Sequence, residues 1–148
     1  SLHAKRLGSS RLRLVASPAY LRQHGMPTHV AALSAHTLIG FNEPASLNRW
    51  PLPGDEDGQL RVRPHIAASS GETLRRLAVE GVGISCLSDF LTHADRQTGA
   101  LVPVLEPQTL QVHQPIHAVY YRNSAVSARV RSFVDVLAEA MQGPPFLP

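Results

Sequence analysis

The sequence predicts an α/β fold built on a mixed, largely parallel sheet that carries helices on both faces. Two observations support this prediction. Strand-like and helix-like segments alternate along most of the 148 residues, which is the order that produces a largely parallel sheet covered by helices. The run from Ala68 to Leu91 reads as a helix, a tight turn, a buried strand and the start of a second helix in direct succession, as expected of such a fold.

The composition is that of an ordinary globular domain. Apolar residues make up 43% and charged residues 17% of the sequence, values that allow a real core and exclude a disordered chain. No apolar run approaches the about 18 residues of a transmembrane helix, and the first residues lack the apolar stretch of a signal peptide. The net charge of +3 comes without a groove-reading motif, so basicity alone does not predict DNA binding.

The first half of the chain is predicted to alternate strands with short helices. Residues 1–10 are polar and predict a loose or partly ordered lead-in, and residues 11–16 predict a strand. Ser17 has the position of an N-cap for a short helix that starts at Pro18 and ends at Gly25. The other elements expected here are a helical turn at 30–34, strands at 36–41 and 60–67, an apolar patch at 47–52 and an acidic turn at 53–58.

The run from Ala68 to Leu91 permits the most detailed local predictions. Ser69 and Glu72 are spaced as a capping box, and apolar residues follow at helical spacing. Gly81 stands at the position after a helix where left-handed backbone is preferred. Residues 82–87 are apolar with β-branched members, which is typical of a strand buried on both faces.

The last third predicts a helix, an apolar segment, a strand and a final amphipathic helix. These elements are expected at 90–96, at 100–105, at 116–121 and after an N-cap at Ser124. Helical spacing gives the final helix one apolar face. The residues of that face are Val126, Val130, Phe133, Val134, Leu137 and Met141.

Ser69, Ser70 and Gly71 form the strongest candidate for a binding position. They follow a predicted strand and open a predicted helix, so their backbone amides have no partner within the helix. Such amides, with the helix dipole behind them, favour an anion or a carboxylate. An ordinary capped helix whose amides meet water explains the same residues and is the more frequent case.

No pattern in the sequence demands catalysis, a metal or a cofactor. The eight histidines are scattered, and neither an i, i+4 pair on a helix nor a cluster with cysteine or carboxylate accompanies them. Cys86 is the single cysteine, which excludes an intrachain disulfide. Its apolar surroundings predict a buried structural thiol rather than a nucleophile. We therefore predict neither an enzyme nor a cofactor.

Several segments together resemble the C-terminal regulatory domain of LysR-type transcriptional regulators. The sharpest likeness lies in VEGVGISCLSDF at 79–90, GALVPVL at 99–105 and VYYRN at 119–123. The resemblance extends from about Arg11 to Met141. It implies the fold of type-II periplasmic binding proteins, in which two α/β subdomains enclose an effector in the cleft between them.

The same resemblance implies a division of the chain. Residues 1–15 would be a lead-in and crossover strand, 16–114 the second regulatory subdomain, 115–141 the returning strand and C-terminal helix of the first subdomain, and 142–148 a tail. The DNA-binding domain and part of the first subdomain would lie outside this sequence. The strand at 116–121 and the final helix would then lack their usual sheet partner. We expect their surface to be covered by another copy of the chain or left as an exposed apolar patch.

The implied function is the sensing of a small, anionic metabolite by a cytoplasmic regulator. Self-association as a dimer or larger assembly is expected, with DNA contacted only through the missing domain and no membrane involved. The resemblance places the effector-binding wall of the second subdomain at Gly40, Phe41, Ala68, Ser69, Ser70 and Gly71.

Two alternatives remain open at this point. A solute-binding protein of a transport system shares the cleft architecture, and a signal peptide upstream would indicate it. A small hydrolase or transferase would use Cys86 or a histidine, and fast alkylation of the thiol in the folded protein would indicate it.

Overall fold

The computed structural model describes residues 2–54, 58–121 and 127–142. The chain divides into two compact units, one formed by Leu12–Val112 and the other by Ser1–Arg11 with His113–Pro148. Strand β1, Leu2–Ala16, contributes residues to both units. Every helix in the described ranges is too short or too polar to pass through a bilayer.

The larger unit alternates strands and helices along the chain. In order, its elements after β1 are α1 Pro18–His24, a 3₁₀ helix Val30–Ala35, β2 Leu38–Phe41, a 3₁₀ turn Ala45–Asn48, β3 Arg49–Trp50, β4 Leu60–Arg61, β5 Ile66–Ala68, α2 Gly71–Val79, β6 Ile84–Ser88, α3 Asp89–Thr98, β7 Val102–Val104 and a 3₁₀ turn Glu106–Gln108.

The main sheet of this unit has the strand order β5-β2-β6-β1-β7. Strand β2 is parallel to β5 and β6, whereas β1 is antiparallel to β6 and β7. Leu14 of β1 packs with Tyr20 of α1 in one buried cluster, and the next residue, Val15, packs with Leu74 of α2 in another. Because successive strand residues point to opposite faces, helices cover both sides. The predicted mixed α/β class is therefore confirmed.

Two helix ends form as their sequences predict. The hydroxyl of Ser17 accepts the amide hydrogen of Tyr20 at 3.1 Å and so caps α1. Gly81 lies in the left-handed region at φ 83°, and its amide donates to the carbonyl of Ala78 at 3.0 Å. Only a residue without Cβ adopts this backbone freely, so Gly81 ends α2 and turns the chain toward β6.

The predicted capping box at the start of α2 is wrong. Ser70 rather than Ser69 is the N-cap residue, and no side chain caps the helix. The Glu72 carboxylate instead binds the Arg75 guanidinium at 2.7 and 2.9 Å. Arg75 also donates to both carboxylate oxygens of Asp95 on α3 at 2.9 Å. Glu72 is thus engaged with a charged group that a second helix holds in place, and it does not reach back to the helix start.

The single strand predicted at 60–67 is also wrong, because the structure has two short strands here. Strand β4 pairs with β3, and β5 pairs with β2. Pro64 lies between them and cannot donate a backbone hydrogen bond, which interrupts a strand ladder.

The smaller unit is a two-stranded ribbon with one helix. Strand β8, His113–Tyr121, pairs antiparallel with Leu2–Arg11 of β1, so the loose or partly ordered lead-in predicted for residues 1–10 is wrong. Polar side chains are compatible with this strand because only one face of the ribbon packs on helix α4, Ser127–Ala140.

Some predictions fall on residues outside the described ranges. They are the cap at Ser124, the placement of Val126, the acidic residues 55–57 and the tail at 143–148.

Apolar side chains are exposed on the smaller unit. Leu2, Val119 and Tyr121 are exposed on the ribbon face opposite to the one that packs on α4. The prediction that Phe133 belongs to the buried face of the final helix is wrong, since this residue is 67% exposed. A ribbon of two strands covers only a narrow stripe of the helix. This stripe contains Val130, Val134 and Ala138, which are spaced four residues apart.

A buried histidine links α1 to the start of β2. The Tyr20 hydroxyl accepts the amide hydrogen of Thr37 at 3.1 Å and is hydrogen-bonded to Nδ1 of His36 at 2.8 Å. His36 is 8% exposed, and this burial, with the nearby His24 as a smaller cause, lowers its pKa. The folded state therefore favours the neutral form of the His36 imidazole.

We expect the protein to lose stability as the pH falls below about 6.5, the ordinary pKa of histidine in an unfolded chain. The folded state takes up the proton at lower pH than the unfolded state, so acid favours unfolding over the interval between the two pKa values. The substitution His36→Asn keeps an acceptor for Tyr20 and removes the titrating group. Chemical denaturation at a series of pH values should show a shallower acid decline for this variant. His29→Asn, at an exposed histidine, is the matched control, and equal declines in wild type and His36→Asn would contradict the assignment.

Candidate functional site

The predicted effector wall lies where two parallel strands of the larger unit end. Phe41, the last residue of β2, is paired with Ala68, the last residue of β5. The amide of Asn42 donates to the carbonyl of Ala68 at 3.0 Å, which ties the two chain segments together beyond the strands. Ligands of α/β proteins bind at this carboxyl edge of a parallel sheet.

The start of α2 lies beside the end of β2. Ser69 and Ser70 are exposed, and Gly71 opens the helix. A Cβ added to Gly71 would lie 3.8 Å from Cζ of Phe41 and 3.2 Å from Cδ2 of Leu91. The structure thus brings Phe41 and Gly71 together, and any larger side chain at position 71 would press on Leu91.

The backbone amides of the first turn of α2 are left without a side-chain cap. Amides at this position point beyond the helix start and carry the positive end of the helix dipole. The one carboxylate of the first turn belongs to Glu72, and its hydrogen bonds to Arg75 are the largest cause of its lowered pKa. Glu72 remains ionised and bound to Arg75, so the exposed turn is suited to an external anion or hydroxyl.

Gly40 lies behind the wall rather than on its surface. It is buried, and a Cβ added there would lie 2.5 Å from Oδ1 of Asn48 and 3.1 Å from Cβ of Pro64. The same Oδ1 accepts the amide hydrogen of Phe41 at 2.8 Å, and Nδ2 of Asn48 donates to the carbonyl of Phe41 at 2.6 Å. Gly40 therefore makes room for the side chain that fixes the backbone of Phe41.

Asn48 was not singled out by the sequence. It follows a proline-containing loop and resembles an ordinary polar loop residue, yet it is 7% exposed. Its partner is seven positions earlier in a strand, and no spacing rule indicates such a contact.

A second anchor, also missed from the sequence, holds the start of α3. Arg13 of β1 donates to Asp89 at 2.6 Å and also binds Glu106. Burial lowers the pKa of Arg13, but its hydrogen bonds to these carboxylates outweigh that effect and raise the pKa overall. Helix α3 carries Leu91, which packs against the position of Gly71, so this ion pair helps to position the wall.

Cys86 is buried, as the sequence predicts, and burial raises the pKa of its thiol. A thiol that resists ionisation is a poor nucleophile. Among the residues that the structure describes, no group of three or more His, Cys, Asp or Glu side chains could hold a metal ion.

Comparison with known proteins identifies the family. The LysR substrate binding domain matches residues 1–142. The chain belongs to this family. Over 140 residues this LysR domain is 45% identical to the HTH-type transcriptional regulator CrgA of Neisseria meningitidis serogroup C, strain 8013, and the match covers 95% of this chain and 47% of CrgA. It is 30% identical over 143 residues to the regulator DmlR of Escherichia coli K12, with 94% and 45% covered. The chain thus spans about half the length of these curated relatives.

Solved structures agree with this assignment. The regulatory domain of Neisseria meningitidis CrgA superposes with a TM-score of 0.86 at 46% identity, covering 94% of this chain and 68% of that one. The full-length Vibrio cholerae virulence activator AphB gives a TM-score of 0.73 at 30% identity, with 95% and 48% covered. Both are LysR-type proteins, so the predicted family and its periplasmic-binding-protein type-II-like fold are confirmed. The relatives are transcriptional regulators.

We expect Asn48→Ala to lower the free energy of unfolding by about 1–3 kcal/mol, because it removes two hydrogen bonds and leaves the backbone groups of Phe41 without that partner. Chemical denaturation measures the loss. Amide hydrogen exchange at Phe41 should accelerate more than exchange elsewhere in β2.

Asn42→Ala is the matched control, because Asn42 is an exposed asparagine in the same loop. If Asn42→Ala lowers the free energy of unfolding as much as Asn48→Ala does, the loss arises from the loop in general. It would then not arise from the two hydrogen bonds between Asn48 and Phe41.

Proposed function

We propose that this LysR domain senses a small anionic effector and passes the signal to a DNA-binding domain outside this sequence. The observation that carries the proposal is the uncapped start of α2 beside Phe41, at the end of β2 and β5. The wall would consist of Phe41, Ala68, Ser69, Ser70 and Gly71, with Gly40 buried behind it. Ser69, Ser70 and Gly71 would supply hydroxyls and amides, Phe41 an apolar surface, and Gly40 the space for Asn48.

The proposal assigns a role to each part of the chain. Residues 16–114 would be the second regulatory subdomain, preceded by a lead-in and crossover strand at 1–15. Residues 115–141 would be the returning strand and final helix of the first subdomain, and 142–148 a tail. The compact unit Leu12–Val112 supports the extent of the second subdomain.

Effector binding would act by shifting a population of cleft states. A ligand that contacts both walls of a cleft favours the closed state by its differential affinity for that state. In this scheme the protein is a cytoplasmic regulator, as expected for a relative of transcriptional regulators, and the DNA is contacted only by the other domain.

The coding sequence upstream of Ser1 is the first test, because it separates this proposal from a transport protein. A winged helix-turn-helix with a linker helix is the expected result. A signal peptide followed by a first lobe would contradict the proposal and support solute binding for transport.

In the regulator that carries both domains, we expect Ser69→Ala with Ser70→Ala to raise the half-maximal effector concentration about tenfold, through the loss of hydroxyl hydrogen bonds. A reporter gene assayed against small carboxylates and phosphates gives the measurement. DNA binding without effector should stay unchanged. Ser132→Ala, at an exposed serine of α4, is the control. An unaltered response of the double variant would remove the α2 start from the site.

We further propose that the exposed ribbon face of the smaller unit lets the 148-residue chain associate with a second copy. Three apolar side chains are exposed on this face, and burying them against a second copy would be favourable. They are Leu2, Val119 and Tyr121. Val119→Lys with Tyr121→Lys should weaken self-association at least tenfold in analytical ultracentrifugation. Phe133→Lys with Val136→Lys places the same two charges on the exposed side of α4 and should have little effect. A wild-type chain that stays monomeric at every accessible concentration would refute this proposal.

A further inference from the structure

A cavity of about 390 Å³ lies at the amino ends of β2 and β5, within the larger unit. Leu38, the first residue of β2, and His65, which comes directly before β5, both line it. The predicted effector wall lies at the other ends of these strands, at Phe41 and Ala68. Because a strand rises about 3.3 Å per residue, β2 separates the cavity from the wall by about 10 Å.

The walls of this cavity are aliphatic. Branched side chains come from the 3₁₀ helix Val30–Ala35, from β2, and from β4 with the residue that follows it. They are Val30, Leu33, Leu38, Leu60 and Val62. Burying an apolar ligand against them removes apolar surface of both partners from water, which is favourable. The volume is in the range of small-molecule sites.

His65 provides the cavity lining with a hydrogen-bond donor in a fixed form. Its backbone amide donates to the carbonyl of Leu38 at 2.8 Å, and its Nδ1 accepts the amide hydrogen of Leu38 at 3.1 Å. Since Nδ1 acts as an acceptor, the ring is neutral in this arrangement and carries its hydrogen on Nε2. Nε2 is therefore the ring atom that can donate to a ligand.

Ser34 provides a complementary acceptor in the same lining. Its hydroxyl donates to the carbonyl of Ala31 at 3.0 Å, so the Ser34 oxygen meets a ligand as an acceptor. A hydroxyl group on the ligand can accept from Nε2 of His65 and donate to this oxygen. A ketone or an ether can only accept.

The two arginines of the lining do not favour an anion. Arg61 and Arg63 are exposed, and Arg61 already takes part in another interaction within the chain. Exposed charges attract an anion only weakly, because water and salt screen them. A carboxylate would also lose hydration on entering an aliphatic cavity, which is unfavourable. An uncharged ligand is therefore favoured.

We propose that this cavity binds a small, uncharged apolar molecule that carries one hydroxyl group, such as an alicyclic alcohol or a phenol. The aliphatic walls contact its ring, and His65 and Ser34 bind its hydroxyl. The site does not depend on the proposed effector function, because none of the wall residues, all of which the structure describes, lines this cavity.

Methyl NMR of the 148-residue chain, titrated with cyclohexanol at neutral pH, tests the site. We expect saturable shifts at the methyl groups of Val30, Leu33 and Leu60. The methyl groups of Leu74 and Leu101 should not shift, because these residues belong to the buried cluster on the other face of the sheet. Cyclohexanecarboxylate, which adds a negative charge to the same ring, should bind at least tenfold more weakly.

Two variants with matched controls locate the ligand. His65→Asn keeps an acceptor for the amide of Leu38 but lacks the Nε2 hydrogen, so cyclohexanol should bind about tenfold more weakly, as expected for one lost hydrogen bond. His29→Asn, at an exposed histidine outside the lining, should bind as wild type does. Ala31→Phe adds a ring at an exposed lining position, so the fold should persist and binding should weaken at least tenfold. Ala35→Phe, at the exposed end of the same 3₁₀ helix, should bind normally.

Three results would overturn the proposal. The first is the absence of saturable shifts up to the solubility limit of cyclohexanol. The second is equal binding by each variant and its control. The third is binding of cyclohexanecarboxylate as tight as that of cyclohexanol, which would make the cavity an anion site. Ser69→Ala with Ser70→Ala should leave cyclohexanol binding unchanged, and weaker binding by this variant would instead place the ligand at the effector wall.

Discussion

The candidate site in the larger unit depends on the hydrogen bonds between the side-chain amide of Asn48 and the backbone of Phe41. One loop residue satisfies both backbone groups of Phe41, at the position where β2 leaves the sheet and its regular hydrogen bonds end. The contact has a strict steric requirement, because any side chain at position 40 would occupy the space of the Asn48 oxygen. A glycine in the strand weakens it intrinsically, and here that weakness is offset by a side chain that performs the role of a neighbouring strand. The backbone of the wall is thereby fixed without a bulky group in front of it.

Charged groups complete this arrangement by fixing the helices on either side of the wall. Arg75 connects the first turn of α2 to Asp95 of α3, and Arg13 connects the start of α3 to β1. Both arginines are partly buried with their acidic partners, so solvent and salt screen these ion pairs less than exposed ones. These ion pairs therefore connect α2 to α3 and α3 to the sheet.

Features that depend on residues close together in the sequence were predicted correctly, whereas features that depend on contacts between distant segments were missed. Local patterns gave the α1 cap at Ser17, the glycine end of α2 at Gly81 and the buried strand around Cys86, since each depends on neighbours within a few residues. The pairing of residues 2–11 was missed because a ribbon with one covered face needs few apolar side chains, and its partner strand is over a hundred residues away. Asn48 and Arg13 were missed for the same reason, because each joins segments whose proximity only the folded chain creates. The wall residues came from the family resemblance together with the helix-start argument at Ser69–Gly71.

The incorrect capping box bears directly on the site. An N-cap side chain stabilises a helix by about 1 kcal/mol, and the hydroxyl of Ser70, the N-cap residue, could provide that stabilisation. The serine hydroxyl makes no capping bond, and the glutamate is held by Arg75, which Asp95 fixes from the neighbouring helix. An ordinary helix would gain stability by forming the serine cap. Natural sequences tend to depart from such local rules at positions that serve binding. The open helix start therefore supports the proposed effector site more strongly than the serines do, because serines alone are equally compatible with a satisfied cap.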